Sequence, residues 1–263
     1  MRNSSTTPEL SHGSVEALFL KVRHGKDAAE LASGAALTCV AGLGIDGDVH
    51  ANRLSPRQIL VTLQSELNAL SISPGALHEN MVISGATLAY FLPGAALVTS
   101  GGVEIGLTMY CEPCKRIEGL VPELAALIHR RGILGRVVAG GEIRRGDTIK
   151  LIPHRYVALP ESVEQKFLDF IPTIPAGRVV RFGDVTTAMG VADSFVRAVP
   201  GYIRRSMGRQ LPLHRVVNAR GELPNIVPDQ AAMLAAEGVR ITCSHALASG
   251  APKVDLQQYL WRG

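Results

Sequence analysis

Leu211-Pro212-Leu213-His214-Arg215-Val216-Val217 sets a leucine between a proline and a His-Arg pair, and its surroundings decide the character of the C-terminal half. It lies within residues 194–221, where Arg197, Arg204, Arg205, Arg209, Arg215 and Arg220 meet no Asp or Glu. A one-sign arginine run suits phosphate contacts, and guanidinium groups also fork to base edges or stack. The competing reading is a solvated basic face. Upstream, Ser162-Val163-Glu164-Gln165 reads as a capping box opening an amphipathic helix with Val163, Phe167, Leu168 and Phe170, which stops at Pro172. A second helix is expected from Phe182 or Gly183 to Met189, ended by Gly190. A third starts with Asp193 as N-cap, carries Phe195, Val196 and Val199, and is kinked or broken at Pro200. Two short helices about a glycine turn form a helix-turn-helix. Residues 216–223, turning at Arg220-Gly221, would add a short hairpin wing.

Pro212-Leu213-His214-Arg215-Val216 resembles the Pro-Cys-His-Arg-Val motif of the O6-alkylguanine-DNA alkyltransferases, with Leu213 at the acceptor cysteine. Further matches occur in the family's order. Ile174-Pro175-Ala176-Gly177-Arg178-Val179 is similar to the Ile-Pro-x-Gly-x-Val turn. Arg181-Phe182-Gly183-Asp184-Val185 is similar to the Tyr-Gly-x-Val helix start, with Phe182 at the tyrosine. Val196-Arg197-Ala198-Val199 matches the recognition helix, Leu234-Ala235-Ala236-Glu237-Gly238-Val239 the closing helix, and residues 254–261 the tail of the bacterial alkyltransferase-like branch. Leucine has no lone pair with which to attack an alkyl carbon, so no alkyl transfer is expected at Leu213.

The resemblance implies recognition of O6-alkylguanine in double-stranded DNA by base flipping. Arg197 would fill the vacated space, Arg204 and Arg205 would position the backbone, and Phe182, Leu213, His214, Arg215 and Glu237 complete the implied DNA- and lesion-binding set. Two departures stand out. Phe182 keeps the ring of the family's tyrosine without its hydroxyl, and Arg204-Arg205-Ser206-Met207-Gly208-Arg209-Gln210 lacks the family's asparagine. The implied partners are alkylated duplex DNA and nucleotide excision repair machinery.

The chain has 263 residues, 46% of them hydrophobic, enough to fill two cores. It has no apolar run of membrane-spanning length, and its polar Ser/Thr-rich start lacks an apolar signal core. Four cysteines, Cys39, Cys111, Cys114 and Cys243, are few for a disulfide framework. These features imply a cytoplasmic protein with free thiols and no membrane partner.

The first half is written as short apolar runs between glycine-rich turns, which predicts a mainly β, barrel-like domain. Within it, Gly44-Ile45-Asp46-Gly47-Asp48-Val49-His50, Arg57-Gln58-Ile59-Leu60, Pro74-Gly75-Ala76-Leu77-His78-Glu79-Asn80 and Cys111-Glu112-Pro113-Cys114-Lys115 follow in order. The motifs of residues 132–138 and 140–147 continue the succession, which resembles a MOSC domain, the module at the C-terminus of molybdenum cofactor sulfurases. The resemblance implies Cys114 as a cofactor-binding or sulfur-carrying thiol, with His50, Arg57, Glu79 and Asn80 lining the same cleft and a molybdenum cofactor as the ligand. His78 stands where that family commonly has glycine. A single Cys-x-x-Cys without a second pair is a poor zinc signature, and no metal-ion ligand set is assigned.

The expected organisation is therefore a flexible tail over residues 1–13, a MOSC-like β domain over 14–153, a stiff linker over 154–160, and an α-rich winged helix-turn-helix alkyltransferase-like domain over 161–263. Three functions stay open at this point. One is a non-catalytic sensor of alkylated DNA fused to a MOSC domain. The second is a sulfur or molybdenum-cofactor enzyme or carrier with an accessory DNA-binding domain. The third is an interaction scaffold in which both modules are degenerate.

Overall fold

Leucine-, valine- and isoleucine-rich runs between glycine turns form eleven strands in the first part of the computed structural model, which describes residues 11–243 and 251–263. They are β1 (Ser11–Leu20), β2 (Ala29–Glu30), β3 (Ala36–Val40), β4 (Gly44–Ile45), β5 (Ile59–Leu63), β6 (Met81–Ser84), β7 (Ala96–Thr99), β8 (Glu104–Tyr110), β9 (Ile133–Ala139), β10 (Gly141–Arg144) and β11 (Thr148–Ile152). In the order β1-β11-β7-β8-β9-β5-β6, seven of them close into a barrel as β6 returns to β1. Closure removes the exposed strand edges of an open sheet. All neighbours are antiparallel except β5 and β6, whose parallel pairing needs a crossover. Helix α1 (Gln64–Ala69) lies within that crossover. Strands β3, β4 and β10 make a separate three-stranded sheet, and β2 extends β1.

Leu18, Val61, Leu63, Ile83, Leu97, Ile105, Leu107 and Ile149 belong to the buried cluster of the barrel. A second cluster joins Ala17, Phe19 and Val82 to Leu67, Leu77, Ile117 and Leu127, so the loop region after Cys114 is fastened by its own apolar side chains. Two expected boundaries move. Ser11, His12 and Gly13, expected in the tail, pair with Leu151, Lys150 and Ile149 in β11; residues 1–10 of that expected tail lie outside the described residues. The expected linker is strapped to the barrel: Tyr156 N–H donates to Gly94 O (2.8 Å), Leu159 N–H to Thr108 O (2.9 Å), and Arg155 and Tyr156 both bond Glu104. The chain divides into two compact units after Leu159.

In the second unit, Ser162 Oγ accepts from Gln165 N–H and caps α2 (Val163–Phe170), which tightens into a 3-10 turn at Ile171–Thr173 around Pro172. Strand β12 (Val180–Arg181) leads into α3 (Phe182–Met189). There the Asp184 carboxylate receives Arg181 N–H and both arms of its guanidinium at 2.8 Å. Gly190, at φ 65°, ends the helix in the left-handed conformation that a side chain disfavours. The third helix differs from expectation. Residues Asp193–Ala198 form a 3-10 segment whose cap is Ala192, and α4 (Val199–Arg205) starts only at Pro200's doorstep. Proline lacks an N–H but loses nothing in a first turn, so it begins the α-helix rather than kinking one.

A 3-10 turn at Leu213–Arg215 precedes β13 (Val216–Val217), which pairs in parallel with β12. The expected hairpin wing is corrected accordingly. Asn218 and Glu222 do close a turn, but Val216–Val217 are committed to β12, and Leu223 N–H goes to Pro252 O in a different strand. Helix α5 (Gln230–Ala236), strands β14 (Ile241–Cys243) and β15 (Pro252–Val254), and α6 (Leu256–Tyr259) complete the unit. Helices of eight residues or fewer do not persist alone. Burial of Phe167, Ile171, Val185, Val199, Ile203 and Leu213 in one cluster holds them, each contributing roughly 1.5–3 kcal/mol. Trp261 stacks on Phe170, with ring centroids 6.1 Å apart.

Gly132 gives a direct test of the barrel. Its φ is +111°, and a Cβ there would clash with Val61 O and lie 2.9 Å from Thr62 Oγ1. Gly132→Ala should lower stability by about 2 kcal/mol or more, read as a lower urea midpoint in far-UV circular dichroism. An unchanged midpoint would contradict the β5–β9 packing described.

Candidate functional sites

In the C-terminal unit the parallel pair β12–β13 brings three distant segments to one carboxylate. Glu237, at the end of α5, accepts from Arg215 Nη2 (2.6 Å), Arg215 Nε (3.0 Å), His214 Nε2 (2.7 Å) and Gly177 N–H (2.9 Å). Arg215 Nη1 also reaches Ile174 O (2.6 Å), and Gln230 Nε2 ties down His214 O and Val216 O, each at 2.9 Å. Burial opposes the charge on Glu237, but the Arg215, Gly177 and His214 hydrogen bonds outweigh it and hold its pKa down at about 2. His214 is buried, and its Nδ1 has no hydrogen-bond partner among the described residues. Leu213 is 4% exposed, packed among the apolar residues of the helical cluster.

The arginine run, uniform in sequence, is not uniform in space. Arg215 is bound to Glu237, Arg205 lies 3.9 Å from Glu164 and over the Tyr202 ring, and Arg220 lies 3.9 Å from Glu222. Arg197, Arg204 and Arg209 are exposed and have no ion pair among the described residues. Arg197 projects from the 3-10 segment ahead of α4, and Arg204 ends α4. Phe182 opens α3, half-buried against the same apolar cluster as Leu213.

In the barrel the expected cleft residues divide between two networks. Asp48 Oδ1 accepts His50 N–H (2.8 Å) and lies 2.9 Å from His50 Nδ1; Oδ2 accepts Lys21 N–H (3.1 Å) and Asn80 Nδ2 (2.9 Å). Burial opposes this carboxylate, yet those bonds keep its pKa below the usual range. Asn80 further ties Leu60 N–H to Phe19 O, so it works as a buried strut. Glu79, its neighbour, is fully buried and faces elsewhere. Its Oε1 accepts Gly75 N–H (2.6 Å), its Oε2 finds no partner among the described residues, and burial raises its pKa. His78 takes φ 62°, so the turn keeps the left-handed geometry expected of glycine although a histidine occupies it.

Cys114 meets a residue that no motif singled out. Arg131, 6% exposed, directs Nη1 to Glu112 O (2.5 Å) and to Cys114 Sγ (3.4 Å), and Nη2 to Leu77 O (3.3 Å). Burial works against the Cys114 thiolate. A hydrogen bond from Arg116 N–H, with the charge and N–H of Arg131, outweighs it and lowers the thiol's pKa. Burial instead pushes Cys39 up to about 12 and raises Cys111. Arg57 is half-buried, with its charge acting on Cys111. The Arg131 contact arises because Cys111 N–H donates to Gly132 O, extending the β8–β9 ladder so that residues 112 and 131 meet. A sequence signal was available only in that pairing, which spacing does not reveal.

Residues 162–239 match the family described as "6-O-methylguanine DNA methyltransferase, DNA binding domain", and residues 47–150 match the MOSC domain. A curated relative, the "DNA base-flipping protein" of Escherichia coli K12, is 36% identical over 105 residues, covering 38% of this chain and 75% of the relative. Among solved structures, S. pombe Atl1 in complex with damaged DNA containing O6-carboxymethylguanine is 27% identical, covers 38% of this chain and 95% of that one, with a TM-score of 0.35. The YUAD protein of Bacillus subtilis is 20% identical, covers 55% of this chain and 98% of that one, with a TM-score of 0.48.

The Glu237 clamp predicts an acid limb of stability. A carboxyl whose folded pKa is depressed stabilises the fold above its unfolded value, 4.5, and loses that contribution as pH falls towards about 2. The shift corresponds to about 3 kcal/mol, of which solvent screening at this partly exposed position leaves about 2. Urea unfolding followed by Trp261, the only tryptophan, should be flat above pH 5 and weaken from 4.5 downwards. Glu237→Gln should be less stable at neutral pH by about 2 kcal/mol, with a shallower acid limb. Equal acid limbs in both proteins would remove Glu237 from the clamp.

Proposed function

Because the chain belongs to the family of the DNA base-flipping protein in its C-terminal unit and carries a MOSC domain before it, we propose that it is a non-catalytic sensor of O6-alkylguanine in duplex DNA. The observation that carries this reading is the segregation of arginines. The fold binds Arg215 to Glu237, sets Arg205 and Arg220 3.9 Å from Glu164 and Glu222, and gives Arg197, Arg204 and Arg209 no ion pair among the described residues, along the segment that includes α4. In this reading Arg204 and Arg209 meet phosphates, and Arg197 enters the stack in place of an extruded base. Arg205 contributes to phosphate contact only by yielding its Glu164 and Tyr202 neighbours. Arg215, His214 and Glu237 act by fixing the turn that carries Leu213. Leu213 has no nucleophile and offers only an apolar wall, so the lesion is held and left for excision repair machinery.

Phe182 gives a ring without a hydroxyl at the start of α3, so it supports the DNA backbone by contact rather than by hydrogen bonding. The free thiols of Cys39, Cys111 and Cys114 suit a reducing compartment such as the cytoplasm. Among the described residues, no helix is long and apolar enough to cross a membrane.

A second reading concerns the barrel and rests on the Cys114–Arg131 contact: Cys114 serves as a sulfur-carrying thiol. The cationic surroundings of Cys114 also fit an anionic molybdenum cofactor; of the other residues expected to hold it, His50 and Asn80 are engaged with Asp48, and Glu79 is fully buried. When bound, such a cofactor supplies redox chemistry. The chain's own part would be to orient it through Arg131, beside Cys114.

Mobility shifts with matched duplexes test the sensor. An O6-methylguanine duplex should bind more tightly than its undamaged counterpart; equal affinities would end this reading. Arg197→Ala should reduce the preference for damage by about tenfold, equivalent to about 1.4 kcal/mol. Arg204→Ala or Arg209→Ala should weaken both duplexes alike and reduce the slope of log affinity against log salt by about 1 each.

A further inference from the structure

We propose that the Cys114 site takes its sulfur from small anionic sulfane donors, of which thiosulfate is the simplest, with Arg131 as the group that receives the donor's charge. The inference rests on the sulfur-carrier reading of the barrel and names its donor class.

Three features of the site select such a donor. Arg131 is held rigidly by two backbone carbonyls, Glu112 O and Leu77 O, so its guanidinium stays at the edge of the Cys114 sulfur. Its Nε–H is buried and has no partner among the described residues, so the guanidinium is not fully satisfied by its protein contacts. Lys115 and Arg116 follow Cys114 directly and are exposed, and the charge of Arg116 acts on the thiol. A cationic rim of this kind favours a dianion over a neutral electrophile. Burial raises the pKa of Glu79, a buried carboxyl on which the charge of Arg131 also acts.

The chemistry balances without a further reactant. The Cys114 thiolate attacks the terminal sulfur of thiosulfate, and a sulfur–sulfur bond forms at Sγ. The bond between the terminal and sulfonate sulfurs breaks, and its electron pair leaves with sulfite. A persulfide anion remains on Cys114, and total charge is unchanged. Arg131 faces charge throughout, first on the donor and then on departing sulfite. Cys111, three residues away, is 2% exposed and kept as a thiol by burial, so it is a poor nucleophile for reducing the persulfide.

The test uses the full chain with thiosulfate and, as a neutral probe of thiol reactivity, iodoacetamide. Sulfite should appear in step with a peptide containing Cys114 that is heavier by one sulfur, and Cys114→Ser should abolish both. Arg131→Gln should lower the ratio of thiosulfate to iodoacetamide rates by about tenfold, as expected for one lost charge-assisted contact. Arg131→Lys should recover part of it. Should Arg131→Gln not fold by circular dichroism, the wild-type chain still decides, because added salt should slow thiosulfate and leave iodoacetamide unchanged. If Cys114 alkylates readily but gains no sulfur from thiosulfate, the donor class is overturned while the reactive-thiol reading stands. If Cys114 reacts with neither, both fall.

Discussion

One carboxylate organises the C-terminal unit. Glu237 gathers Arg215 and His214 from the turn before β13, Gly177 from the turn before β12, and its own position at the end of α5. Charge-assisted bonds of this kind are about twice as strong as neutral ones, and losing one partner strands the others in a partly buried place. The parallel pair β12–β13 is only two residues long on each strand. It could not fix the register of those turns alone; the clamp at its entry supplies the missing constraint. From that fixed end, β12 runs straight into α3 and β13 carries on from Leu213.

The clamp also explains why a motif containing His-Arg can lose its nucleophile and keep its shape. The His214 and Arg215 side chains are spent on Glu237, while Leu213 is spent on the apolar cluster around Phe167 and Val216. Replacing a small thiol by leucine adds volume where the cluster can use it, and burial repays the substitution without demanding a polar partner. The same separation applies to charge within the arginine run: Arg215 is bound to Glu237, whereas Arg197, Arg204 and Arg209 are exposed and have no ion pair among the described residues.

How much of this was legible in the sequence follows from the range of the interactions. Local signals read well: Ser162 as a cap, Gly190 as a stop, and the apolar runs as barrel strands. Signals that depend on distant partners did not. The arginine run contained no acid within it, but Glu222 adjoins it, and Glu164 and Glu237 come to it from distant parts of the sequence. Asp193 looked like a cap, yet the segment it opens is a 3-10 turn, with the α-helix delayed until Pro200 occupies a first turn. Of the wing, the turn was legible, with Asn218 N–H donating to Glu222 O around Arg220-Gly221, whereas the pairing of Val216 and Val217 with β12 was not. Arg131 carried no motif, since its meeting with Cys114 is made by strand pairing across residues 111 and 132.

The barrel applies the same physics to the opposite end. In the C-terminal unit a carboxylate is stabilised as an anion and thereby becomes structural; in the barrel a cation held beside a sulfur lowers that thiol's pKa. Arg131 is bonded mainly to neutral carbonyls, which fix its position without cancelling its charge. Arg215 is bonded to a carboxylate, which fixes and cancels at once. A buried guanidinium left with net charge is costly unless something negative can join it. Among the described residues two groups can answer that charge, the Cys114 sulfur at 3.4 Å and the buried carboxyl of Glu79, on which the charge of Arg131 acts.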